Sequence, residues 1–200
     1  MRNFSNMIFK QIKAGVGKNF AYIIADESSQ EAAIVDPSFM PRKVLQTAAA
    51  DNLTIKYLIN THSHFDHTYG NRYVLAHTNA VLINASVVHD QDELKLGNLS
   101  LKILATPGHS EDSICILVEN KLLTGDTLFI GDVGITSSEE DAATEFNSIK
   151  KLLELDDNIE VYPGHDYSSI PFSSIGYEKQ HNLCVKNVLA NDFANFLLNK

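Results

Sequence analysis

The 200-residue sequence has no apolar run near the ~20 residues that a membrane-spanning helix needs. Its first residues also lack the uninterrupted apolar stretch of a secretory signal. Only two cysteines are present, Cys115 and Cys184, and each lies between apolar neighbours. This pattern is typical of reduced core residues rather than of a disulfide. Together these absences predict a cytoplasmic protein that does not bind membranes.

Positive charge is also scarce, because 25 acidic residues outnumber 16 Lys and Arg residues and give a formal net charge of −9. Such a chain repels phosphate backbones, so we predict no nucleic-acid partner and a small-molecule substrate instead. With 44% hydrophobic residues and no low-complexity linker, the sequence predicts a single domain over residues 1–200. A homodimer is compatible with this composition.

Hydrophobic periodicity predicts a protein of the α+β class. Alternating or β-branched runs predict strands at residues 8–12, 20–24, 32–35, 55–59, 81–83, 99–104, 114–118, 121–123 and 159–162, with the opening strands antiparallel. Helical spacing predicts helices over residues 41–51, 71–76, 142–155 and 177–198. Because strands and helices occur in two similar runs, we expect two sheets packed face to face with helices outside, an αββα sandwich.

The segment His62-Ser63-His64-Phe65-Asp66-His67 places three histidines and one aspartate within six residues, directly after a predicted strand. Imidazole nitrogens and carboxylate oxygens are the ligands that divalent zinc and iron accept. The two histidines that lie two positions apart can share one metal ion, and Asp66 and His67 can serve a second. A packing role for such a cluster is rare.

Three further segments each bring a ligand-type residue after an apolar strand and a glycine. They are residues 106–110 with His109, residues 124–127 with Asp126, and residues 162–166 with His165. A glycine allows a sharp backbone turn, so that a side chain near it can point into a cleft at the sheet edge. Four such loops predict a metal centre more strongly than any one of them.

The motif His-x-His-x-Asp-His, followed in order by Pro-Gly-His, Gly-Asp-Thr-Leu-Phe and Pro-Gly-His, resembles the metallo-β-lactamase superfamily over nearly the whole chain. The resemblance implies the metallo-β-lactamase fold and two divalent metal ions, zinc with iron as the alternative. It implies one ion on His62, His64 and His109, a second on Asp66, His67 and His165, and Asp126 bridging both. Asp66 is then also a catalytic residue that orients the nucleophile.

Within the superfamily, residues 122–134 and 174–179 look most like the branch of glyoxalase II (hydroxyacylglutathione hydrolase) and persulfide dioxygenase. This resemblance implies a metal-dependent hydrolase that uses a metal-bound hydroxide on an ester or thioester, as thioesterases do. Relatives that bind glutathione commonly carry a basic residue where this chain has Ile135. We therefore expect a thiol carrier other than glutathione.

Two alternatives remain open on the sequence alone. A persulfide dioxygenase would use a single iron ion on His62, His109 and Asp126, a face of two histidines and one carboxylate. A non-catalytic protein, either metal-stabilised or a sensor, is the other alternative. The residues predicted to line the substrate pocket, for which ordinary packing is the competing explanation, are Tyr167, Tyr177 and Lys179.

Overall fold

The computed structural model describes residues 7–200. Residues 1–6 lie outside this range. They include the start of the N-terminal segment in which the sequence predicts no secretory signal, and the first residues of the predicted domain. The strands are β1 (Met7–Lys13), β2 (Phe20–Asp26), β3 (Glu31–Val35), β4 (Thr54–Ile59), β5 (Val81–Ile83), β6 (Glu93–Leu96), β7 (Leu99–Ala105), β8 (Ile114–Val118), β9 (Lys121–Gly125), β10 (Glu160–Pro163) and β11 (Ser173–Ser174).

The helices are α1 (Pro41–Ala50), α2 (Phe65–Thr68), α3 (Asn71–His77), α4 (Glu139–Leu152), α5 (Ile175–His181), α6 (Leu183–Leu189) and α7 (Phe193–Leu198). Helix α4 follows a capping serine and begins with three acidic residues, and the Ser138 hydroxyl accepts a hydrogen bond from the Asp141 amide. Among residues 7–200, no helix combines the length and the apolar character needed to cross a membrane.

The strands form two sheets, with the order β1-β2-β3-β4-β5 in the first and β11-β10-β9-β8-β7-β6 in the second. The opening strands β1 to β3 pair antiparallel, as predicted, whereas β4 and β5 join the sheet parallel to β3. A parallel neighbour needs a crossover connection, and α1 supplies it between β3 and β4. In the second sheet, β9 and β10 are likewise parallel, with α4 in the connection between them.

Strand β2 shows how the layers are built, because its side chains alternate between two cores. Phe20, Tyr22 and Ile24 face the core between the two sheets, whereas the intervening residues pack in a second core with α1 and α3 residues. A third core lies between the second sheet and helices α4, α6 and α7. Because alternate side chains are buried on both faces of a strand, a helix layer must cover the outer face of each sheet. The predicted αββα sandwich is thereby confirmed.

The prediction of one closing helix over residues 177–198 is wrong, because the structure divides this segment into α5, α6 and α7. Asn182 has extended backbone angles, and its side chain accepts from the Val185 amide to begin α6. Asn191 has a positive φ, and Asp192 accepts from the Asn195 amide to begin α7. Short polar side chains that cap a new helix thus interrupt an otherwise helical apolar pattern. Strands β6 and β11 and the short helix α2 were also not predicted.

We predict that Ile116→Ala lowers the free energy of unfolding by about 2–5 kcal/mol, because it opens a cavity in the core between the sheets. Ile116 is fully buried in β8. The matched control is Ile135→Ala at a site that is 81% exposed, where the change should be small. Urea denaturation of the chelator-treated proteins measures both, and equal losses would contradict the layer assignment.

Candidate metal centre

The candidate site lies at one edge of the sandwich, where four strands end. Strands β7 and β9 both pair antiparallel with β8 and therefore run in the same direction, and β10 is parallel to β9. The loops that leave β7, β9 and β10 face the loop that leaves β4. Together these four loops carry all seven ligand-type residues predicted from the sequence, which are His62, His64, Asp66, His67, His109, Asp126 and His165.

Two glycines make this convergence sterically possible. Gly125 has a φ of +50°, and a Cβ atom there would lie 2.6 Å from the Thr61 hydroxyl oxygen. A Cβ atom on Gly164 would lie 2.3 Å from Asp126 Oδ1 and 2.9 Å from the His67 ring. Any larger residue at either position would displace the ligand loops, so the glycine roles inferred from the sequence have a steric basis.

The first group of side chains consists of His62, His64 and His109. The Nε2 atoms of His62 and His109 each lie 3.0 Å from Nδ1 of His64. The three nitrogen atoms lie within 4.8 Å of one another, close enough to share one metal ion. His64 therefore presents Nδ1 to the group, and the other two histidines present Nε2. The sequence does not indicate which ring nitrogen faces the group.

The second group consists of Asp66, His67 and His165. The Nε2 atoms of the two histidines are 3.2 Å apart. Asp66 Oδ2 lies 3.5 Å from the His67 nitrogen and 3.4 Å from the His165 nitrogen. The Asp66 side chain is 35% exposed, so this group opens to solvent on the Asp66 side.

Asp126 lies between the two groups. Its Oδ2 is 3.7 Å from His109 Nε2 of the first group and 3.1 Å from His165 Nε2 of the second. Its Oδ1 is 3.4 Å from His67 Nε2, yet it is buried and has no hydrogen-bond partner among the described residues. One carboxylate thus contacts both groups, as a bridging ligand would.

The far ring nitrogens of four histidines are held by fixed hydrogen-bond acceptors. Nδ1 of His109 lies 2.8 Å from the Ile135 carbonyl oxygen, and Nδ1 of His165 lies 2.8 Å from the Gly17 carbonyl oxygen. The other two contacts, to a carboxylate and a hydroxyl, are His67 Nδ1 to Asp36 Oδ2 at 2.9 Å and His62 Nδ1 to Thr61 Oγ1 at 3.1 Å. When Nδ1 carries the proton and donates it, the Nε2 lone pair is free to face the site.

Asp36 is a site residue that the sequence analysis missed. It is buried and accepts from the Thr61 amide at 2.9 Å, the Thr61 hydroxyl at 2.6 Å and His67 Nδ1. It also has a φ of +47°, an unusual backbone conformation that is often found at functional sites. The sequence assigns no role to Asp36, because its buried contacts depend on β3 and β4 lying side by side.

Asn19 was also missed. Its side-chain amide donates a 2.8 Å hydrogen bond to Asp66 Oδ2, although the two residues lie 47 positions apart. Asn19 is buried, and its own Oδ1 has no hydrogen-bond partner among the described residues. This contact fixes the orientation of Asp66 toward the second group.

The three residues predicted to line the substrate pocket are placed differently from one another. The Tyr167 ring stacks on His165 with centroids 4.8 Å apart and also contacts Phe129. Tyr177 stacks on His181, and Lys179 forms a 2.6 Å ion pair with Asp157. Tyr167 therefore borders the second group directly. No hydrogen bond or ring contact within residues 7–200 connects Tyr177 or Lys179 to either group, and their substrate role stays a prediction.

The two groups differ in their affinity for protons. Burial lowers the pKa of His62 to about 4 and also lowers the pKa of His109. In the second group burial acts in the same direction, but Asp36 and Asp126 outweigh it and raise the pKa of His67, and Asp126 raises that of His165. Burial would raise the pKa of Asp126, but the neighbouring His165 and His67 keep it well below its usual value.

The residues fit divalent metal ions on the observations above. Three histidine nitrogens converge in the first group, at distances that suit ligands of one cation. Asp126 Oδ1 is a buried anionic oxygen without a donor, which is costly unless it meets a positive charge. Nitrogen and carboxylate donors together suit zinc or iron rather than magnesium or calcium.

A model of the metallo-beta-lactamase superfamily matches residues 14–89 and 82–165, which include every residue of both groups. The chain belongs to the metallo-β-lactamase superfamily. It is 31% identical to a probable polyketide biosynthesis zinc-dependent hydrolase of Bacillus subtilis, over 82% of this chain and 80% of the relative. It is 32% identical to a probable hydroxyacylglutathione hydrolase of Schizosaccharomyces pombe, over 80% and 69% of the two chains.

Among solved structures of the superfamily, the chain is similar to ETHE1 from Myxococcus xanthus, with a TM-score of 0.87 and 32% identity. The match covers 96% of this chain and 89% of that chain. The fold and the branch inferred from the sequence motifs are thereby confirmed.

We predict that Asp36→Asn weakens metal binding by about 10–100-fold, because loss of the carboxylate beside His67 removes the group that orients this ring and makes it more basic. Competition with a chromophoric chelator measures the affinity. The matched control is Asp157→Asn, which removes only a surface ion pair with Lys179. Equal affinities for the two variants would contradict the role given to Asp36.

We also predict the order in which acid removes metal. Only unprotonated histidine binds metal, and a raised pKa keeps a histidine protonated up to a higher pH. As the pH falls, an ion held by Asp66, His67 and His165 should therefore dissociate at a higher pH than an ion held by His62 and His109. Dialysis at stepwise lower pH, followed by elemental analysis, should show a decrease from two ions per chain to one before the second is lost.

The variant His165→Ala identifies the ion that remains in this experiment. Its single ion should persist to the same low pH as the last ion of the parent protein. Loss of both parent ions in one step would contradict the predicted order.

Proposed function

We propose that this protein is a metal-dependent hydrolase of thioesters. The observation that carries the proposal is the position of Asp126 in contact with both groups, since a shared carboxylate is the feature that joins two metal ions into one reaction centre. The residues proposed to hold two divalent ions are His62, His64 and His109 for one, Asp66, His67 and His165 for the other, and Asp126 for both.

Two such ions would supply a low pKa for a bound water molecule and an electrophile for the substrate carbonyl group. Asp66 is proposed to accept a hydrogen bond from the attacking water and so to orient it, because its carboxylate is the exposed one of the site. Burial acts to raise the pKa of Asp66, but the Asn19 hydrogen bond and His67 lower it below its usual value. The carboxylate thus stays ionised and can act as an acceptor.

The cysteines do not compete for the role of nucleophile. Cys115 and Cys184 are both unpaired and buried, as the sequence predicted. Burial raises the pKa of the Cys115 thiol to about 11, so that almost none of it is thiolate at neutral pH. Attack by an activated water therefore fits the site better than covalent catalysis.

The thioester class and the preference for zinc are supported by the names of the relatives. One is named a zinc-dependent hydrolase, and several are named hydroxyacylglutathione hydrolases. The matches to two of these cover 80% and 82% of this chain and 67% of each relative. Zinc in both positions is therefore part of the proposal, with iron as the alternative metal.

A mononuclear iron persulfide dioxygenase is the second candidate function. The similarity to ETHE1 from Myxococcus xanthus supports it, but no better than the similarity to proteins named as hydrolases supports the first candidate. This activity would use His62, His109 and Asp126 and would leave Asp66, His67 and His165 without a metal-binding role.

The sequence-based predictions of a cytoplasmic location, of no nucleic-acid or membrane partner, and of a homodimer stay predictions. The same holds for a single domain that includes residues 1–6 and for substrate contacts of Tyr167, Tyr177 and Lys179.

We predict that Asp126→Ala removes both metal ions and the hydrolase activity together, because its carboxylate contributes to both groups. Elemental analysis and a thioester hydrolysis assay on the same preparation test this. The matched control Asp132→Ala, on the loop that follows Asp126, should keep metal and activity. Full metal content in Asp126→Ala would contradict the bridging role.

The variant His165→Ala separates the two candidate functions. It should reduce thioester hydrolysis by about 100-fold or more, because the second group loses a ligand. Persulfide-dependent oxygen uptake by a single-iron enzyme would instead remain largely intact. His181→Ala, which changes an exposed histidine of α5, is the control. Unchanged hydrolysis in His165→Ala would contradict the dinuclear hydrolase.

A further inference from the structure

A pocket lies near the metal centre, between the first turn of α1 and the length of α3. It has a volume of about 650 Å³, within the ordinary range for small-molecule sites. Its lining consists of two arginines, three aromatic side chains and three smaller or ionisable residues, namely Arg42, Arg72, Phe39, Tyr69, Tyr73, Pro41, Ala76 and His77. We refer to this set as the arginine groove.

The charge of the groove is unusual for this chain. Arg42 and Arg72 are the only arginines among residues 7–200, and both lie in this one groove although they are 30 positions apart in sequence. Both side chains are exposed, and none of the ion pairs formed by the described residues involves either of them. In a protein with a net charge of −9, two unpaired guanidinium groups at one place mark a site for an anion.

The remaining wall of the groove is aromatic. Tyr73 and His77 stack with ring centroids 4.0 Å apart, and the Arg42 guanidinium lies over the Tyr73 ring at 5.8 Å. Flat rings beside guanidinium groups bind planar, electron-rich groups by stacking as well as anions by hydrogen bonds. The groove therefore offers surfaces for a phosphate and for a planar base.

A ridge of three rings connects the groove to the metal centre. Phe65 lies between His64 and Asp66 in the ligand segment, and its ring is 68% exposed. It contacts Phe39 and Tyr69, both of which line the groove, with ring centroids 6.2 and 5.2 Å apart. An extended substrate arm could cross this ridge with its methylene groups on the rings, one end at the metal centre and the other in the groove.

We propose that the arginine groove binds the phosphorylated end of the thiol carrier, so that the substrates are thioesters of a nucleotide-bearing thiol such as coenzyme A. Arg42 and Arg72 bind the phosphates, the Tyr73 and His77 face binds the base, and the Phe65 and Tyr69 rings contact the arm that leads to the thioester. This inference rests on the proposed thioesterase function and specifies its substrate class.

The first experiment compares one acyl group on three thiols, which are coenzyme A, 4′-phosphopantetheine and pantetheine. The enzyme should show a kcat/KM for the coenzyme A ester at least about tenfold above that for the pantetheine ester, mainly through KM, because a charge-assisted arginine contact is typically worth that factor. An intermediate value for the phosphopantetheine ester would separate the share of the phosphate from that of the base. Equal values for all three esters would overturn the proposal.

The second arm uses the double variant Arg42→Gln/Arg72→Gln. It should remove the advantage of the coenzyme A ester and leave hydrolysis of the pantetheine ester and metal content unchanged. The matched control Lys150→Gln/Lys186→Gln removes the same charge from α4 and α6 and should keep the advantage. A preference for coenzyme A that survives in the arginine variant, or disappears equally in the lysine control, would overturn the proposal.

A binding measurement separates failure of this inference from failure of the proposed function. Desulfo-coenzyme A has no thiol for a metal to bind, and isothermal titration calorimetry measures its binding without any turnover. We expect saturable binding to the parent protein and the lysine control, and a Kd at least about tenfold higher in the arginine variant. If no thioester were hydrolysed, this result would still support the groove, whereas absence of binding to the parent protein would overturn it.

Discussion

The site is organised around the buried negative charge of Asp126. A carboxylate with one oxygen buried and lacking a donor is costly in a protein interior, and surrounding histidines offset only part of that cost. Asp126 directly follows β9, at the edge of the sandwich where β4, β7 and β10 also end. The position of this side chain therefore depends both on the strand order of the second sheet and on the packing of the two sheets.

A second carboxylate, Asp36, connects this centre to the first sheet. It accepts hydrogen bonds from the amide and hydroxyl of Thr61 and from His67, and so joins the ends of β3 and β4. Gly125 leaves just enough space for Thr61 between the two sheets. The network also explains why the two histidine groups differ in proton affinity, because the direct contact with Asp36 raises the pKa of His67, whereas burial outweighs the effect of Asp36 on the pKa of His62. Fold and site are thus held by the same contacts.

The sequence alone identifies the candidate metal ligands but not the residues that orient them. The seven ligand-type residues lie in four short segments after apolar strands, so local pattern was sufficient to find them. Asp36 and Asn19 reach His67 and Asp66 across 31 and 47 positions, and no local pattern reports such contacts. The same limit applies to the closing helix, where Asn182 and Asp192 cap new helices in a continuous apolar pattern. The arginine groove was not predicted either, because it depends on how α1 and α3 pack.

The number and identity of metal ions per chain, in protein purified from cells grown without added metal, distinguish a dinuclear zinc hydrolase from the other candidate functions. Elemental mass spectrometry, referenced to protein concentration by amino-acid analysis, gives both values. We predict close to two divalent ions per chain, with zinc predominant. A single iron ion per chain would contradict the dinuclear hydrolase and favour the dioxygenase, and a protein without metal would contradict the metal centre itself.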